Sequence, residues 1–486
     1  MLKLFPPVLL GIFLMASASA QAKPKFIASE VAGKSSELMI CDLDGDGLKD
    51  FVLREDFNLS IFYQDSKRGF TRDPQQTHSL EPRPSVVWTA KSGGQGSLFV
   101  MTSDGVTEFS FTNRTGSPVI RQIIRQPTLI PNTAEKTNAM ELLLSVETGG
   151  DWPLLLVPTA NGLQVWQLRD EWVKAQDIDH GINVRQWPSL ANSEYSISFG
   201  FKFNFGVGDC NNDRRDDLIV TENVGRTLTY RLYLQQTNGL FASEPVLSYP
   251  DNAELRSWLC WLDLNRDGKM DLIKSFGVNE PSFVPGVPSD KAVVSAYIAD
   301  QHGRIPAEPQ QVFRKNDFTV ALPVVDVDGD GFLDLVLFNR HMDNREAVAK
   351  MVTTKQLDYT LRFYFYRAGM GFSKEAACQR DVIFRLDRAE LMGWIGTENY
   401  DIFVKLVGDF SGDGKTDLVV REHDNEISVY FFISREKGFS LKPDLRFSSP
   451  EEIDDWEARD LNNDGVNDLI VKLRKQNAYR IFISQK

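Results

Sequence analysis

One nine-residue pattern occurs six times in the chain and constrains both its fold and its chemistry. The pattern has Asp at position one, Asp, Asn or Ser at position three, Asp at positions five and nine, and glycine at position six in all copies but one. An apolar, β-type run of residues follows each copy. Such a repeat indicates an architecture built from similar supersecondary units. The copies begin at Asp42, Asp209, Asp263, Asp326, Asp409 and Asp460.

The spacing of oxygen-bearing side chains in each copy predicts a calcium site. Oxygens at alternate positions, with glycine to let the chain turn, suit a hard cation such as Ca²⁺. We expect the side chains at positions one, three, five and nine to bind the ion, together with the backbone carbonyl at position seven. Water completes the shell, and Mg²⁺ fits less well because it prefers to keep its own water. The predicted ligands are Asp42, Asp44, Asp46, Leu48 and Asp50; Asp209, Asn211, Asp213, Arg215 and Asp217; Asp263, Asn265, Asp267, Lys269 and Asp271; Asp326, Asp328, Asp330, Phe332 and Asp334; Asp409, Ser411, Asp413, Lys415 and Asp417; and Asp460, Asn462, Asp464, Val466 and Asp468.

The six loops differ in charge, which predicts different affinities. The loops that begin at Asp42 and Asp326 carry four carboxylates each. Three other loops have Asn or Ser at position three and should bind the ion more weakly, because they carry one negative charge fewer. The Asp209 loop departs most, since Arg214 replaces the glycine at position six and brings a guanidinium near the ion. We therefore expect up to six Ca²⁺ ions, and the Asp209 loop has the weakest support.

The residues that follow the motif distinguish it from an EF-hand. An EF-hand loop ends in a bidentate Glu at position twelve and leads into a helix. The residues after position nine are here β-branched and aliphatic, which predicts strands. A bare Asx-type turn without an ion is the alternative for any single loop. For six loops together, repulsion between unbound carboxylates favours the metal. Position twelve is occupied by Leu53, Val220, Lys274, Leu337, Val420 and Val471.

The spacing of the copies predicts a β-propeller. The last five copies start between 51 and 83 residues apart, which is the size of a four-stranded antiparallel blade with its loops. The first two copies are 167 residues apart, which leaves room for two blades without an acidic loop, near residues 98 and 154. We therefore predict an all-β propeller of eight blades, with seven as the alternative. The segment Lys25–Ala28 is predicted to complete the last blade and close the ring.

A second strand pattern follows each motif and often ends in Gly-Phe, as at Gly69-Phe70, Gly371-Phe372 and Gly438-Phe439. The acidic motif, its spacing and these endings resemble the FG-GAP/VCBS repeat family, the propeller type of integrin α-subunit heads and of many exported bacterial proteins. The resemblance covers nearly the whole chain after residue 20. It implies one propeller domain over residues 21–486 with Ca²⁺ in hairpin loops on one face, and it implies no single activity.

Residues 1–20 have the features of an export signal. Lys3 gives a short positive region, Val8–Met15 is apolar but shorter than the ~20 residues that span a bilayer, and Ala18-Ser19-Ala20 is a small-residue cleavage site. Cleavage before Lys23 is a second option. We therefore expect an exported protein, periplasmic or secreted to the cell surface, without insertion into the membrane.

Charge and cysteine content limit the classes of partner and of stabilisation. A formal net charge of −13 argues against nucleic acid, whose phosphates would be repelled. Four cysteines in a chain of 486 residues do not make a disulfide framework. They are expected to be small buried residues, and a single disulfide remains the alternative for an exported protein.

No catalytic residue is predicted. The chain contains no Gly-x-Ser-x-Gly elbow and no phosphate-binding glycine loop, and its histidines lie outside metal-ligand spacing. We expect a non-catalytic scaffold for adhesion or for binding a protein or glycan; an enzyme or enzyme subunit acting on extracellular polysaccharide is the alternative. Long connections around residues 274–291 and 338–358 are the predicted partner surface, on the face opposite the acidic loops. The histidines are His78, His180, His302, His341 and His423.

Overall fold

The structure is a computed structural model that describes most of the chain. The predicted export signal at residues 1–20 lies outside the described residues. So do residues 278–291, 341–348 and 351–352 of the two long connections. The described residues are 23–33, 37–83, 85–111, 114–130, 144–146, 148, 152–178, 183–191, 194–202, 205–224, 227–252, 257–277, 292–315, 324–340, 349–350, 353–385 and 404–485.

Eight four-stranded antiparallel sheets follow one another along the chain, and we number them as blades 1 to 8. Blade 1 contains β2 (Glu37–Cys41), β3 (Asp50–Glu55), β4 (Asn58–Phe62) and β5 (Gln76–Ser79). Blade 2 contains β6 (Val86–Ser92), β7 (Gln95–Thr102), β8 (Gly105–Ser110) and β9 (Val119–Arg125). Blade 3 contains β10 (Ser145–Val146), β11 (Leu154–Thr159), β12 (Gly162–Leu168) and β13 (Trp172–Ile178). Blade 4 contains β16 (Phe205–Gly208), β17 (Asp217–Val224), β18 (Thr227–Tyr233) and β19 (Leu247–Asn252).

The second half of the chain repeats this arrangement. Blade 5 contains β20 (Ser257–Leu262), β21 (Asp271–Gly277), β22 (Ala292–Tyr297) and β23 (Gln311–Lys315). Blade 6 contains β24 (Val324–Val325), β25 (Asp334–Arg340), β26 (Gln356–Tyr364) and β29 (Cys378–Arg385). Blade 7 contains β30 (Val404–Leu406), β31 (Leu418–His423), β32 (Glu426–Tyr430) and β35 (Leu445–Ser448). Blade 8 contains β36 (Ile453–Arg459), β37 (Asp468–Leu473), β38 (Ala478–Gln485) and the first strand of the chain, β1 (Lys25–Ala32).

These sheets form a β-propeller, which confirms the predicted all-β fold and the count of eight blades. The remaining strands form three two-stranded hairpins: β14 (Asn183–Ala191) with β15 (Glu194–Lys202), β27 (Tyr366–Arg367) with β28 (Gly371–Phe372), and β33 (Phe432–Ser434) with β34 (Gly438–Phe439). Helical backbone occurs at residues 349–350 and 353–354. Among the described residues, no helix has the length and apolar character needed to cross a bilayer.

The sequence places the Gly-Phe pairs at the end of a strand pattern, but in the structure they belong to no strand of a four-stranded sheet. Gly371-Phe372 and Gly438-Phe439 form β28 and β34, short hairpin strands that precede the outer strand of their blade. Gly69 makes an equivalent isolated bridge with Asp65. The glycine has a positive φ, 73° at Gly69 and 67° at Gly438, and so supplies the turn that redirects the chain to the outer strand.

In the part of the chain that the structure describes, the apolar core forms eight clusters, and each cluster lies between two consecutive blades. Strand alternation explains this distribution, because successive side chains point to opposite faces of a sheet. In β3, Phe51 and Leu53 pack toward blade 8, while Val52 packs toward blade 2. Each blade therefore buries both faces, and its stability depends on its two neighbours.

The first strand closes the ring by joining the last blade. β1 pairs with β38 over eight residue pairs, from Lys25 with Gln485 to Ala32 with Ala478. Val31 of β1 is fully buried in the cluster between blades 8 and 1. The edge of β38 is thus covered, as an open strand edge would otherwise invite pairing with another chain.

We predict that removal of β1 destabilises the propeller and promotes self-association. A chain that begins at residue 33 should unfold at a lower temperature than a chain that begins at residue 23, because β38 loses its pairing partner. Thermal unfolding and size-exclusion chromatography with light scattering measure both effects. Equal melting temperatures and two monodisperse monomers would contradict the closing role of β1.

Candidate metal centre

Each acidic loop connects the first strand of a blade to the second strand. The six loops lie in blades 1, 4, 5, 6, 7 and 8, and position nine begins the second strand or directly precedes it. Because the loop occupies the same connection in each of these blades, the six loops lie on one face of the ring. Blade 2 has a two-residue turn, Gly93-Gly94, at this connection.

The carboxylate at position nine is fully buried in all six loops. Its Oδ2 accepts the backbone N–H of position two at 2.7–3.0 Å. Its Oδ1 accepts a backbone N–H at 2.7–3.0 Å, just after the third strand in five blades and from Ser484, near the end of that strand, in blade 8. The side chain therefore joins the start of the loop, the second strand and the end of the third strand. These residues are Asp50, Asp217, Asp271, Asp334, Asp417 and Asp468.

Backbone N–H groups also organise positions one and five. The position-one carboxylate accepts the N–H of position six at 2.6–2.9 Å in every loop. The position-five Oδ1 accepts the N–H of position seven at 2.8–3.1 Å. These bonds fix the orientation of both carboxylates within the loop. The predicted position-seven ligands thus contact the loop through their N–H groups.

The chain turns through positive φ at position six, and this explains the glycine of the motif. Gly331 has φ 88° there, whereas Arg214 adopts φ 68° in the Asp209 loop. A left-handed backbone costs roughly 1–2 kcal/mol in a residue with a Cβ, so this loop is strained. Arg214 is exposed, and the guanidinium that contacts a carboxylate of this loop belongs to Arg215, which pairs with Asp213 at 2.5 Å.

Two loops bring three carboxylates together. In blade 1 the group is Asp42, Asp44 and Asp50, and in blade 6 it is Asp326, Asp328 and Asp334. One oxygen from each side chain lies within 4.8 Å of the others, and these are the only such acidic groups within the described residues. Converging carboxylate oxygens are the donors that suit Ca²⁺. The residues fit the ion best in the two loops predicted to carry most charge.

The other four loops have a neutral side chain at position three. Asn211, Asn265 and Asn462 use Oδ1 to accept the N–H of position five at 2.9–3.3 Å. The hydroxyl of Ser411 donates to Asp409 at 3.0 Å. In these loops the position-three oxygen is part of the hydrogen-bonded turn.

Basic side chains contact the position-five carboxylates, and two of them come from a neighbouring blade. Lys269 and Lys415, at position seven, pair with position five of their own loops at 3.0 and 2.7 Å. Arg114 of blade 2 bridges positions three and five of the blade 1 loop, and Arg435 of blade 7 bridges the same positions in the blade 6 loop. Sequence reasoning did not identify these arginines, because they lie 70 and 107 residues from the carboxylates that they contact.

Neighbouring loops are hydrogen-bonded to each other through position eight. The backbone N–H of Thr416 donates to the carbonyl of Val327 at 3.0 Å, and that of Asn467 to Asp409 at 2.7 Å. The N–H of Lys49 donates to the carbonyl of Leu461 at 2.8 Å. The loops of blades 6, 7, 8 and 1 therefore form a continuous chain on one face.

Burial makes the ionised form of the position-nine carboxyl unfavourable when no cation is bound. It raises the pKa to about 7 in Asp50 and Asp334, and to about 6 in Asp217. The pKa is also about 7 in Asp271, Asp417 and Asp468. A cation that binds the ionised carboxylate offsets this burial and competes with the proton.

Within the described residues, no histidine or cysteine joins a metal-binding group. His180 and His341 lie outside the described residues. His78, His302 and His423 belong to neither of the acidic groups found there. The four cysteines have free thiols, and burial raises the pKa of Cys260 to about 11 and of Cys378 to about 12.

Comparison with known proteins identifies the repeat. A family model described as FG-GAP-like repeat matches residues 209–273 and 409–471, each of which extends from one acidic loop through the next. No curated protein matches the chain in sequence. The chain thus carries FG-GAP-like repeats in a propeller of eight blades, which confirms the resemblance drawn from the acidic motifs.

Two solved structures match the chain at low identity and low TM-score. One is an Agrocybe aegerita lectin described as recognising non-reducing terminal N-acetylglucosamine, with 14% identity, a TM-score of 0.38, and coverage of 64% of this chain and 78% of the lectin. The other is BBS1N in complex with ARL6DN, with 11% identity, a TM-score of 0.34, and coverage of 95% of this chain and 96% of BBS1N. Likenesses this weak carry no argument about what this chain binds.

We predict that position nine stabilises the fold even without metal. In chelator at pH 8, Asp417→Asn should lower the free energy of unfolding by about 1–3 kcal/mol, because the amide nitrogen would face the N–H of Phe410 or of Phe432. Asp413→Asn is the matched control: it keeps Oδ1 for the N–H of Lys415 and loses an exposed ion pair of about 0.2–1 kcal/mol. Denaturant unfolding measures both, and equal losses would contradict the prediction.

Proposed function

We propose that the protein is an exported, calcium-binding β-propeller that acts as a non-catalytic scaffold for a protein or glycan partner. The converging carboxylates of the blade 1 and blade 6 loops carry the calcium part of this proposal. The residues that would hold the ion are those at positions one, three, five and nine, with the position-seven carbonyl. The ion would supply positive charge to a loop whose acids are otherwise held close together.

Calcium suits these loops better than magnesium does. Ca²⁺ accepts about six to eight oxygens in a flexible shell. Each loop offers several oxygens, and hydrogen bonds from the loop's backbone N–H groups already hold them in place. Mg²⁺ demands a smaller octahedral shell and retains its water. Extracellular calcium modules bind in the range of about 10⁻⁴–10⁻³ M, which agrees with the proposed export.

We expect the protein to bind Ca²⁺ and to be stabilised by it. Saturating Ca²⁺ should raise the melting temperature of the chelated protein, and each site should contribute about 2.7 kcal/mol at a Ca²⁺ concentration one-hundredfold above its dissociation constant. Isothermal titration calorimetry and thermal unfolding measure stoichiometry and stabilisation. Blades 1 and 6 should fill first, and the Asp209 loop last.

Magnesium and pH are the controls for this measurement. Mg²⁺ at the same concentration should give a smaller rise in melting temperature. Below about pH 7 the proton competes for the position-nine carboxylates, so Ca²⁺ affinity should fall between pH 8 and pH 5.5. If the protein binds no Ca²⁺ at pH 8 and its melting temperature is unchanged, the loops are bare turns and the calcium proposal is wrong.

The partner surface is proposed on the face opposite the acidic loops. The second strands run from the acidic loops to that face, where β21 ends at Gly277 and β25 ends at Arg340. The long connections that follow these strands belong to the neighbouring blades 5 and 6. Function commonly resides on long loops carried by a rigid scaffold.

We expect the mature protein to be retained by a glycan or cell-envelope fraction without changing it chemically. Binding to arrayed glycans and to envelope fractions, followed by analysis of the released products, measures both properties. A variant with a short turn in place of residues 282–290 should bind less. Release of polysaccharide fragments by the intact protein would instead support the enzyme alternative, and undiminished binding by the variant would place the partner elsewhere.

A further inference from the structure

The two loops with four carboxylates each hold an arginine from the next blade. Arg114 contacts Asp44 through Nε and Asp46 through Nη2, the latter at 2.5 Å. Arg435 contacts Asp328 and Asp330 through the same two atoms. In both cases the arginine lies in the connection between the third and fourth strands of its blade. The same bridge between an arginine and two carboxylates therefore occurs at two places in the ring.

An aromatic ring supports each of these guanidinium groups. Arg114 lies over the ring of Tyr63 at 5.6 Å, and Arg435 lies over the ring of Phe365 at 5.4 Å. Both rings are 99% buried and occupy equivalent positions, one residue before the N–H that the position-nine carboxylate accepts. A buried ring and two carboxylates make a specific cradle for a planar cation.

The residue at position three correlates with where the basic side chain that pairs with position five comes from. Loops with Asp at position three receive the arginine of the next blade. In three loops with Asn or Ser there, a basic residue at position seven pairs with position five: Arg215, Lys269 and Lys415. The guanidinium of the next blade thus contacts the loops that have a fourth carboxylate.

The position-five carboxylate lies apart from the carboxylates that converge. Within the described residues, the two converging groups contain positions one, three and nine, and neither contains position five. Position five is the carboxylate paired with Nη2 of the arginine, and its side chain is about one-third exposed, 36% in Asp46 and 33% in Asp330. An ion that takes position five as a ligand must draw this carboxylate inward, away from the guanidinium.

We propose that Arg114 and Arg435 are exchangeable counter-cations of the blade 1 and blade 6 loops, which Ca²⁺ displaces from the position-five carboxylate. This inference rests on the proposed calcium binding. In the metal-free protein the arginine holds two adjacent blades together through the acidic loop. When the ion binds, the position-five carboxylate moves to it, and the guanidinium remains over its aromatic ring. Calcium and the inter-blade bridge therefore compete.

Arg114→Gln and Arg435→Gln test this exchange. Each substitution should lower, on the order of tenfold, the Ca²⁺ concentration at half-saturation of the loop that it contacts, because the ion no longer displaces a charge-assisted hydrogen bond. In chelator the same variants should unfold at lower denaturant concentration than the wild type. Hydrogen–deuterium exchange of peptides that cover residues 42–50 and 326–334, followed across a Ca²⁺ titration, resolves the two loops from the other four.

Arg121→Gln and Lys437→Gln are matched controls, because they remove one exposed positive charge from the same blades. They should leave both midpoints unchanged. Arg114→Lys keeps the charge but forms no bidentate bridge, so it should give an intermediate midpoint and guards against misfolding of the Gln variant.

Three outcomes are separable. A lower half-saturation concentration only at the loop that lost its arginine supports the exchange. Unchanged or weaker binding in the Gln variants, with Ca²⁺ still bound by the wild type, overturns the exchange and leaves the calcium proposal intact. No binding of Ca²⁺ by the wild type overturns both, even if the Gln variants lose stability in chelator.

Discussion

A buried carboxylate with two backbone hydrogen bonds is the interaction on which each acidic blade depends. Position nine, as in Asp334, accepts the N–H of Val327 at the start of the loop and that of Tyr366 after the third strand. One side chain thus fixes the loop, the register of two strands and the point where the third strand ends. These hydrogen bonds order the blade, but burying the carboxylate carries a free-energy penalty because its charge is removed from water. The rest of the acidic loop can be understood as compensation for that charge.

Three kinds of group can compensate this negative charge: backbone N–H groups, basic side chains and a metal ion. Backbone N–H groups inside the loop contact positions one, five and nine in every copy. In five loops a basic side chain also contacts position five, from position seven of the same loop or from the next blade. A metal ion would add positive charge where three carboxylates already converge, in blades 1 and 6. These contributions act on the same oxygens, so they cannot be independent, and the two loops with most carboxylates are where metal and arginine are expected to exclude one another.

Much of the fold could be predicted from the sequence because it follows local rules. The period of the acidic motif and the β-branched residues after it predict eight similar blades, and Lys25–Ala28 predicts the closing strand, which extends to Ala32. The Gly-Phe turn was misplaced, since a glycine followed by an aromatic residue suits either a strand end or a hairpin. The β14–β15 hairpin is local, but the repeat pattern gave no signal for it. The bridges of Arg114 and Arg435 depend on which loops of neighbouring blades come into contact, and a single sequence does not give that contact.

Closure of the ring connects the acidic loops to the stability of the whole chain. Blades 8 and 1 are neighbours in space but lie at opposite ends of the sequence, so their interface bears the largest loop-closure entropy, which grows slowly with length. That interface contains the pairing of β1 with β38, an apolar cluster around Val31 and Ile481, and the hydrogen bond from Lys49 to Leu461 between two acidic loops. The side chain of Asn463 adds a second bond, to the carbonyl of Gly47 at 2.5 Å. An ion that orders the Asp42 or Asp460 loop would therefore stabilise the interface between blades 8 and 1, which costs the chain most entropy to form. An ion in the blade 5 loop would instead order a contact between blades that are already adjacent in sequence.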